Sequence, residues 1–411
     1  MHEAPEREPP GRHWRIQGNV LLLVLGSGAM AVPFIGALRE SVQRQAGISR
    51  AQLGLWVFVL GLVGGVIGLS LSVFMRRTLR TTFIRIGTWG MFVACVILAA
   101  TEPAPGWALA PLVLGWLVLR TAHPLTGSAN GIFADLWEHS PHTGVILLHA
   151  VNAFGKVAAP LAVLFFGTAV RPTALLFAGL FGLLALESIF WPPQSVDYLR
   201  RVERSRDIKR RLRLPSNPWV WLCVVQFAFI GGAEGGATSI AASLVEVLRP
   251  PPGGFTTAGR WASTALAVMA SGIFVGRTIF ALLSLRLGER AIIVVCLVCG
   301  LFAVPAALVA RPVIYLPAMF VTGVCFSATW PAYFSLTARE FPGERTFLSI
   351  GAIFFSSLGL WGAAWMASAI GNADRLLPWA LVAGVAVVVP FALFLYLTPI
   401  GRRLGRAARS G

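Results

Sequence analysis

Residues 193–216 read PQSVDYLRRVERSRDIKRRLRLPS, eight basic and three acidic side chains with a net charge of +5. On either side the chain is almost free of charge for long distances. Six apolar runs precede this stretch, at about 17–38, 51–75, 83–100, 107–134, 143–167 and 172–192. Six follow it, at about 218–248, 261–285, 291–310, 312–337, 346–370 and 376–398. Each is near or above the roughly 20 residues a helix needs to cross the hydrocarbon core of a bilayer. The reading is therefore an all-α integral membrane protein of twelve transmembrane helices in two six-helix halves.

Composition agrees. The chain has 411 residues, of which 56% are hydrophobic and only 12% charged, with a mean hydropathy of +0.74. Lipid offers no partner to backbone N–H and C=O groups, so spanning segments are helices or closed barrels. Barrel strands are short and alternate polar with apolar; these runs are long and uninterrupted, which selects helices. The expected units are a cytoplasmic arm (1–16), an N-terminal bundle (17–192), the basic linker (193–216), a C-terminal bundle (217–398) and a basic tail (399–411). The linker reads as cytoplasmic, with an amphipathic helix lying on anionic lipid.

Basic residues set the orientation. With the N-terminus inside, 23 of the 34 Lys and Arg residues fall in inside segments, 8 outside and 3 within spans. The bias places both termini in the cytoplasm of the cell inner membrane. It also accounts for the formal charge of +17 without invoking nucleic acid. The arm at 1–16 is polar and the first apolar run is long enough to span, so no cleavable signal peptide is expected. All five cysteines fall in spans; Cys296 and Cys299 form a CxxC in an apolar helix, which reads as packing. No nucleotide-binding, zinc-protease or nucleophile-elbow motif is present, so no enzyme activity, cofactor or metal is expected.

Charges inside the spans carry the functional signal, because a charge at mid-bilayer costs at least ~2.5–3.5 kcal/mol and is kept only for a reason. In span four, Arg120, His123, Gly127 and Asn130 share one helical face. In span five, His149, Asn152 and Lys156 form a second stripe. In span seven, the run FIGGAEGGATSIAASL (229–244) holds Glu234 between two glycine pairs. Such glycines allow either close helix packing or local unwinding at a transport site. Gln226 shares the face of Glu234. Arg277 follows a glycine in VGRTIF (275–280), in the lower part of span eight. Trp330, beside Pro331, leads a set of aromatic candidates that includes Tyr333, Phe355 and Trp361. The expected substrate site is thus Arg120, His123, Asn130, His149, Asn152, Lys156, Gln226 and Trp330, with Glu234 coupling a proton if it stands alone, or gating if it stands beside Arg120 or Lys156.

The two halves are faintly alike. NGIFADLWEHSPHTG (130–144) and PAYFSLTAREFPGER (331–345) each pass from a helix end through a polar, proline-containing loop into a Gly/Ser-rich helix. The 6+6 layout with a central basic linker resembles the major facilitator superfamily. ISRAQLGL (48–55), LLHAVNAFGKVAAP (147–160), GGAEGG (231–236) and VGRTIFALLSLRLGER (275–290) resemble its fucose-permease-like branch. That resemblance implies two bundles rocking about a midplane site, with Arg277 as a helix-end or gate residue. The chain departs from the superfamily pattern in one respect: MRRTLR (75–80) and LRLGER (285–290) lack the aspartate that normally precedes the loop arginine and helps latch the cytoplasmic ends. Nor do spans one and four hold the mid-depth carboxylates of proton-coupled sugar porters, so sugar symport by that arrangement is not expected.

The function expected is secondary transport of a small polar metabolite, proton-coupled through Glu234. The excess of cations at mid-depth points to an anionic substrate. An exporter of lipophilic compounds is the alternative within transport. A sensor or scaffold with a protein partner at the cytoplasmic face is the alternative outside it.

Overall fold

The computed structural model describes residues 13–31, 42–43, 46–74, 80–101, 109–137, 141–166, 170–199, 215, 217–247, 258–307, 312–341 and 344–370. Among these, thirteen helices carry the architecture: α1 (Trp14–Ala31), α2 (Arg50–Phe74), α3 (Arg80–Ala99), α4 (Leu109–Thr126), α5 (Ser128–Leu136), α6 (Pro141–Phe166), α7 (Val170–Ile189), α8 (Pro218–Val247), α9 (Ala258–Leu283), α10 (Glu289–Ala307), α11 (Pro312–Phe326), α12 (Thr329–Glu340) and α13 (Arg345–Ile370). They account for eleven spans. The expected span at 376–398, the basic tail, and most of the N-terminal arm and central linker lie outside the described residues.

Spans four and ten, expected to be continuous, are each two helices. α4 ends at Thr126 and α5 begins at Ser128, with Gly127 as the turn between. Pro124 has no N–H to give, and the Thr126 and Ser128 hydroxyls bond carbonyls three residues back, at 2.7 and 2.8 Å. Both features weaken the helical ladder at this point. In the second half Ser327 does the same to Val324 O at 2.6 Å. Pro331 then sits in the first turn of α12, where a missing N–H costs nothing. The equivalent break in each half is a direct sign of pseudo-symmetry.

The glycines of 229–244 do not unwind their helix: α8 runs unbroken from 218 to 247. Gly231 and Gly232 let α13 approach instead. A Cβ on Gly231 would meet Ser356 Oγ at 2.7 Å, and Gly232 faces Gly359. The first half repeats the device between α1 and α6, where a Cβ on Gly28 would meet Asn152 Nδ2 at 2.8 Å and Gly155 abuts Leu25. Gly28 and Gly231 lie 203 positions apart and Gly155 and Gly359 lie 204 apart, close to the spacing of the two helix breaks. Bare backbone at these crossings permits the close packing that drives helix association in lipid.

Outward faces are apolar. Along α2, Leu55, Val59, Val63, Val66 and Ile67 are each more than 40% exposed, and on α7 Leu175, Leu176, Leu183 and Leu186 likewise. In water such faces would carry charge; here they fit a hydrocarbon surround. Arg80–Ala99, Thr143–Ala162, Val170–Ile189 and Thr264–Leu283, each 20 residues, and Ala51–Leu71, 21 residues, are long and apolar enough to span.

Candidate functional site

α6 and α8 both start on the face of the molecule where α1 begins. Lys156 stands about four turns beyond Pro141 at the start of α6, and Glu234 about four turns beyond Pro218 at the start of α8. At a rise of about 1.5 Å per residue both are about 22–24 Å from that face, near mid-depth. The Lys156 ammonium and the Glu234 carboxylate form an ion pair there. It joins the N-half to the C-half, and its side chains keep only 11% and 15% exposure. Two charges that would each be costly alone thereby offset one another.

Arg277 projects from α9 toward the same region and interacts electrostatically with Glu234. It is 2% exposed. Its Nε donates to Ser327 O at 2.8 Å, at the α11–α12 break, and its Nη1 donates to His149 O on α6 at 2.7 Å. The helix break therefore serves the site: it frees a carbonyl that holds the guanidinium across the half-to-half boundary. His149 Nε2 and Asn130 Oδ1 are 2.8 Å apart, and the His149 ring lies 4.2 Å from that of Trp330. Asn130, His149, Trp330 and Arg277 thus make one connected layer below the ion pair.

Arg120 sits elsewhere in the cluster. Its guanidinium lies 4.2 Å from the Trp116 ring on α4 and 4.3 Å from the Trp361 ring on α13. A desolvated cation held by two indoles gains about 2 kcal/mol or more per contact. His123, one turn along α4, is within electrostatic reach of both Arg120 and Lys156, and its Nδ1 is buried without a hydrogen-bond partner. Around mid-depth the described spans therefore place Arg120, Lys156 and Glu234, with Arg277 in the layer below.

The remaining sequence candidates have internal partners. Asn152 donates to Val24 O at 3.1 Å, joining α6 to α1. Gln226 accepts from the Tyr333 hydroxyl, beneath a cluster in which Phe227 packs on both Trp330 and Tyr333 at 5.0 Å. Trp116 belongs to this constellation although neither hydropathy nor spacing singles it out in the sequence. Among the described residues, no group of three or more His, Cys, Asp or Glu side chains could hold a metal ion.

A second set of charges closes the face where α1 begins. Asp135, at the end of α5, accepts from Arg80 Nη1 at 2.5 Å and from Arg345 Nη1 of the C-half at 3.1 Å. Arg80 is the last residue of MRRTLR, so the acid missing from that loop is supplied by α5. The second half answers with the signs exchanged: Glu289, opening α10, pairs with Arg339, near the end of α12, at 3.0 Å. Thr143 and Ser284 add a hydroxyl–hydroxyl contact across the halves at 2.9 Å.

The sequence profile of the Major Facilitator Superfamily matches residues 20–366. The chain belongs to the Major Facilitator Superfamily. Solved structures agree on the fold. A variant of the E. coli fucose:proton symporter FucP superposes with a TM-score of 0.64 at 18% identity, covering 95% of this chain and 99% of that one. A bacterial homologue of the iron transporter ferroportin gives 0.65 at 16%, over 93% and 98%. The nucleoside transporter NupG gives 0.61 at 15%, over 93% and 98%. At these identities the likeness is one of fold. No curated protein matches the chain in sequence. The superfamily assignment makes it a multi-pass membrane transporter.

Proposed function

We propose that this superfamily member carries a small anionic metabolite by alternating access, with proton coupling through Glu234 and with both termini in the cytoplasm of the cell inner membrane. The observation that carries the reading is the Lys156–Glu234 pair, which joins the two halves at mid-depth. Rocking of one half against the other must stretch or break such a pair.

The chemistry then follows from charge balance. An entering anion takes the place of the Glu234 carboxylate beside Lys156. The displaced carboxylate, parted from Lys156 in a buried site, takes up a proton. One anion and one proton bind together, and the net charge of the site is unchanged. On release the proton leaves and the ion pair re-forms, which resets the carrier. The surplus of cations over acids around the site favours an anion over an uncharged lipophilic cargo. The Asp135–Arg345 pair, on the proposed cytoplasmic face, supplies the latch whose loop acid is missing.

The test is reconstitution into proteoliposomes with a panel of radiolabelled organic anions. Wild-type protein is expected to accumulate at least one of them when a proton gradient is imposed. Glu234→Gln is expected to lose accumulation while retaining exchange of internal for external substrate. Accumulation that survives Glu234→Gln would remove the coupling role from this residue.

A further inference from the structure

Trp116 and Trp361 present an unexplained feature. Both are almost fully buried, at 3% and 4% exposure, yet the indole N–H of each has no hydrogen-bond acceptor. Buried tryptophans ordinarily find a partner for that group; Trp137 and Trp191 lack one as well, Trp191 beside Arg85, but among the described residues only Trp116 and Trp361 flank one guanidinium from two halves. Here the two rings flank the same guanidinium and lie edge to face, with centroids 5.5 Å apart and planes at 84°. The backbone of α2 runs close beside this group. A Cβ on Gly64 of α2 would meet the Arg120 Cβ at 2.7 Å, and Gly61, one turn earlier, faces Trp361 at 3.5 Å. A tightly built cluster of donors, charged at its centre, straddles α4 of one half and α13 of the other. What the two indoles lack is an acceptor.

We propose that Trp116, Arg120 and Trp361 form an oxyanion subsite, which binds a carboxylate- or phosphate-type group of the transported molecule. The indole N–H groups complete the coordination that the guanidinium begins. This deepens the carrier reading and rests on it: the tryptophan–arginine clamp supplies the first recognition of the oxyanion, which then passes to Lys156 for the exchange with Glu234. Because Trp361 belongs to the C-half and the other two to the N-half, an anion seated here contacts both bundles. It can bind one arrangement of the halves more tightly than another, as a substrate of an alternating-access carrier must.

The experiment is thermal unfolding of the purified full-length protein with matched pairs of probes: lactate against lactamide, benzoate against benzamide, and glycerol 3-phosphate against glycerol. Inorganic phosphate and chloride serve as simple anions. At least one organic anion is expected to raise Tm in a saturable way while its neutral partner does not. Trp116→Phe and Trp361→Phe keep an aromatic six-membered ring beside the guanidinium and remove the N–H, and they serve as the test where Arg120→Gln does not fold. Loss of one hydrogen bond to a charged group is expected to weaken the midpoint of that Tm response about tenfold. Stabilisation by neutral partners as strong as by anions would overturn the proposal, as would unaltered anion affinity in both phenylalanine variants. Inorganic phosphate acting as strongly as the organic anions, with the same loss in the variants, supports the clamp and identifies the oxyanion itself as the recognised group. Saturable anion binding that needs both indoles, without flux in proteoliposomes, would keep the subsite and discard the carrier reading. Proton-coupled flux of a neutral compound, untouched by the phenylalanine variants, would do the reverse.

Discussion

Asp135 on α5 and Arg345 at the start of α13 meet at 3.1 Å across the two halves, 210 residues apart in the chain. Asp135 is 3% exposed and also holds Arg80, so one buried carboxylate offsets two guanidinium groups. Removing a partner from a buried pair leaves uncompensated charge, at a cost of about 3–5 kcal/mol. Asp135→Asn is therefore expected to lower stability by that order, seen as a large drop in Tm or in the denaturant midpoint. An unchanged midpoint would show that the carboxylate carries no such burden.

The same substitution should open the face it closes. Thr143 and Ser284 face one another at 2.9 Å across the halves on that face. In a background with the five native cysteines replaced, Thr143→Cys with Ser284→Cys is expected to form a disulfide readily under mild oxidation. Adding Asp135→Asn is expected to slow that cross-link several-fold. Equal cross-linking rates would mean that the latch does not govern closure.

Glycines at helix crossings and glycines on open surface should behave oppositely. A Cβ at Gly155 would be pressed against the backbone of Leu25, whereas one at Gly179 meets nothing within 4 Å. Gly155→Ala is expected to destabilise by about 1–3 kcal/mol or more through overpacking. Gly179→Ala is expected to be neutral or to stabilise by up to ~1 kcal/mol through helix propensity. Thermal unfolding of the two variants side by side checks the contrast, and similar losses in both would contradict it.

Arg15 and Glu187 provide the counter-example to Asp135. They pair at 2.8 Å, but their side chains are 37% and 38% exposed. Exposed pairs contribute little. Glu187→Gln is expected to shift stability by less than about 1 kcal/mol, and a shift of several times that size would mark this pair as part of a larger network.

The fold was legible because it is written locally. A long apolar run has few ways to satisfy its backbone in lipid. The expected spans at 51–75, 218–248 and 346–370 accordingly match helices at 50–74, 218–247 and 345–370. The helix breaks were harder to read. At Gly127 and Ser327 they depend on side-chain hydroxyls competing for carbonyls, a choice that hydropathy does not register. Charges were legible as candidates, and the partner of Glu234 only as a choice between Arg120 and Lys156. Glu234 stands out in any reading of span seven; that it meets Lys156 of span five depends on how the halves pack. Asp135 lay in a polar stretch where an acid attracts no notice. Trp116 is one of 14 tryptophans, and its position against Arg120 and Trp361 is a tertiary fact. The glycine pairs of 229–244 admitted both packing and unwinding. The short approach to α13 decides for packing.

The most direct test follows protons and substrate together. Purified protein is reconstituted into proteoliposomes loaded with a pH-reporting dye, and the organic anion that most raises Tm is added outside. Wild-type protein is expected to acidify the lumen as anion enters, with about one proton per anion, and Glu234→Gln is expected to abolish the pH change while anion exchange persists. Anion entry without lumenal acidification in the wild type, or acidification undiminished by Glu234→Gln, would contradict the exchange of substrate for carboxylate at Lys156.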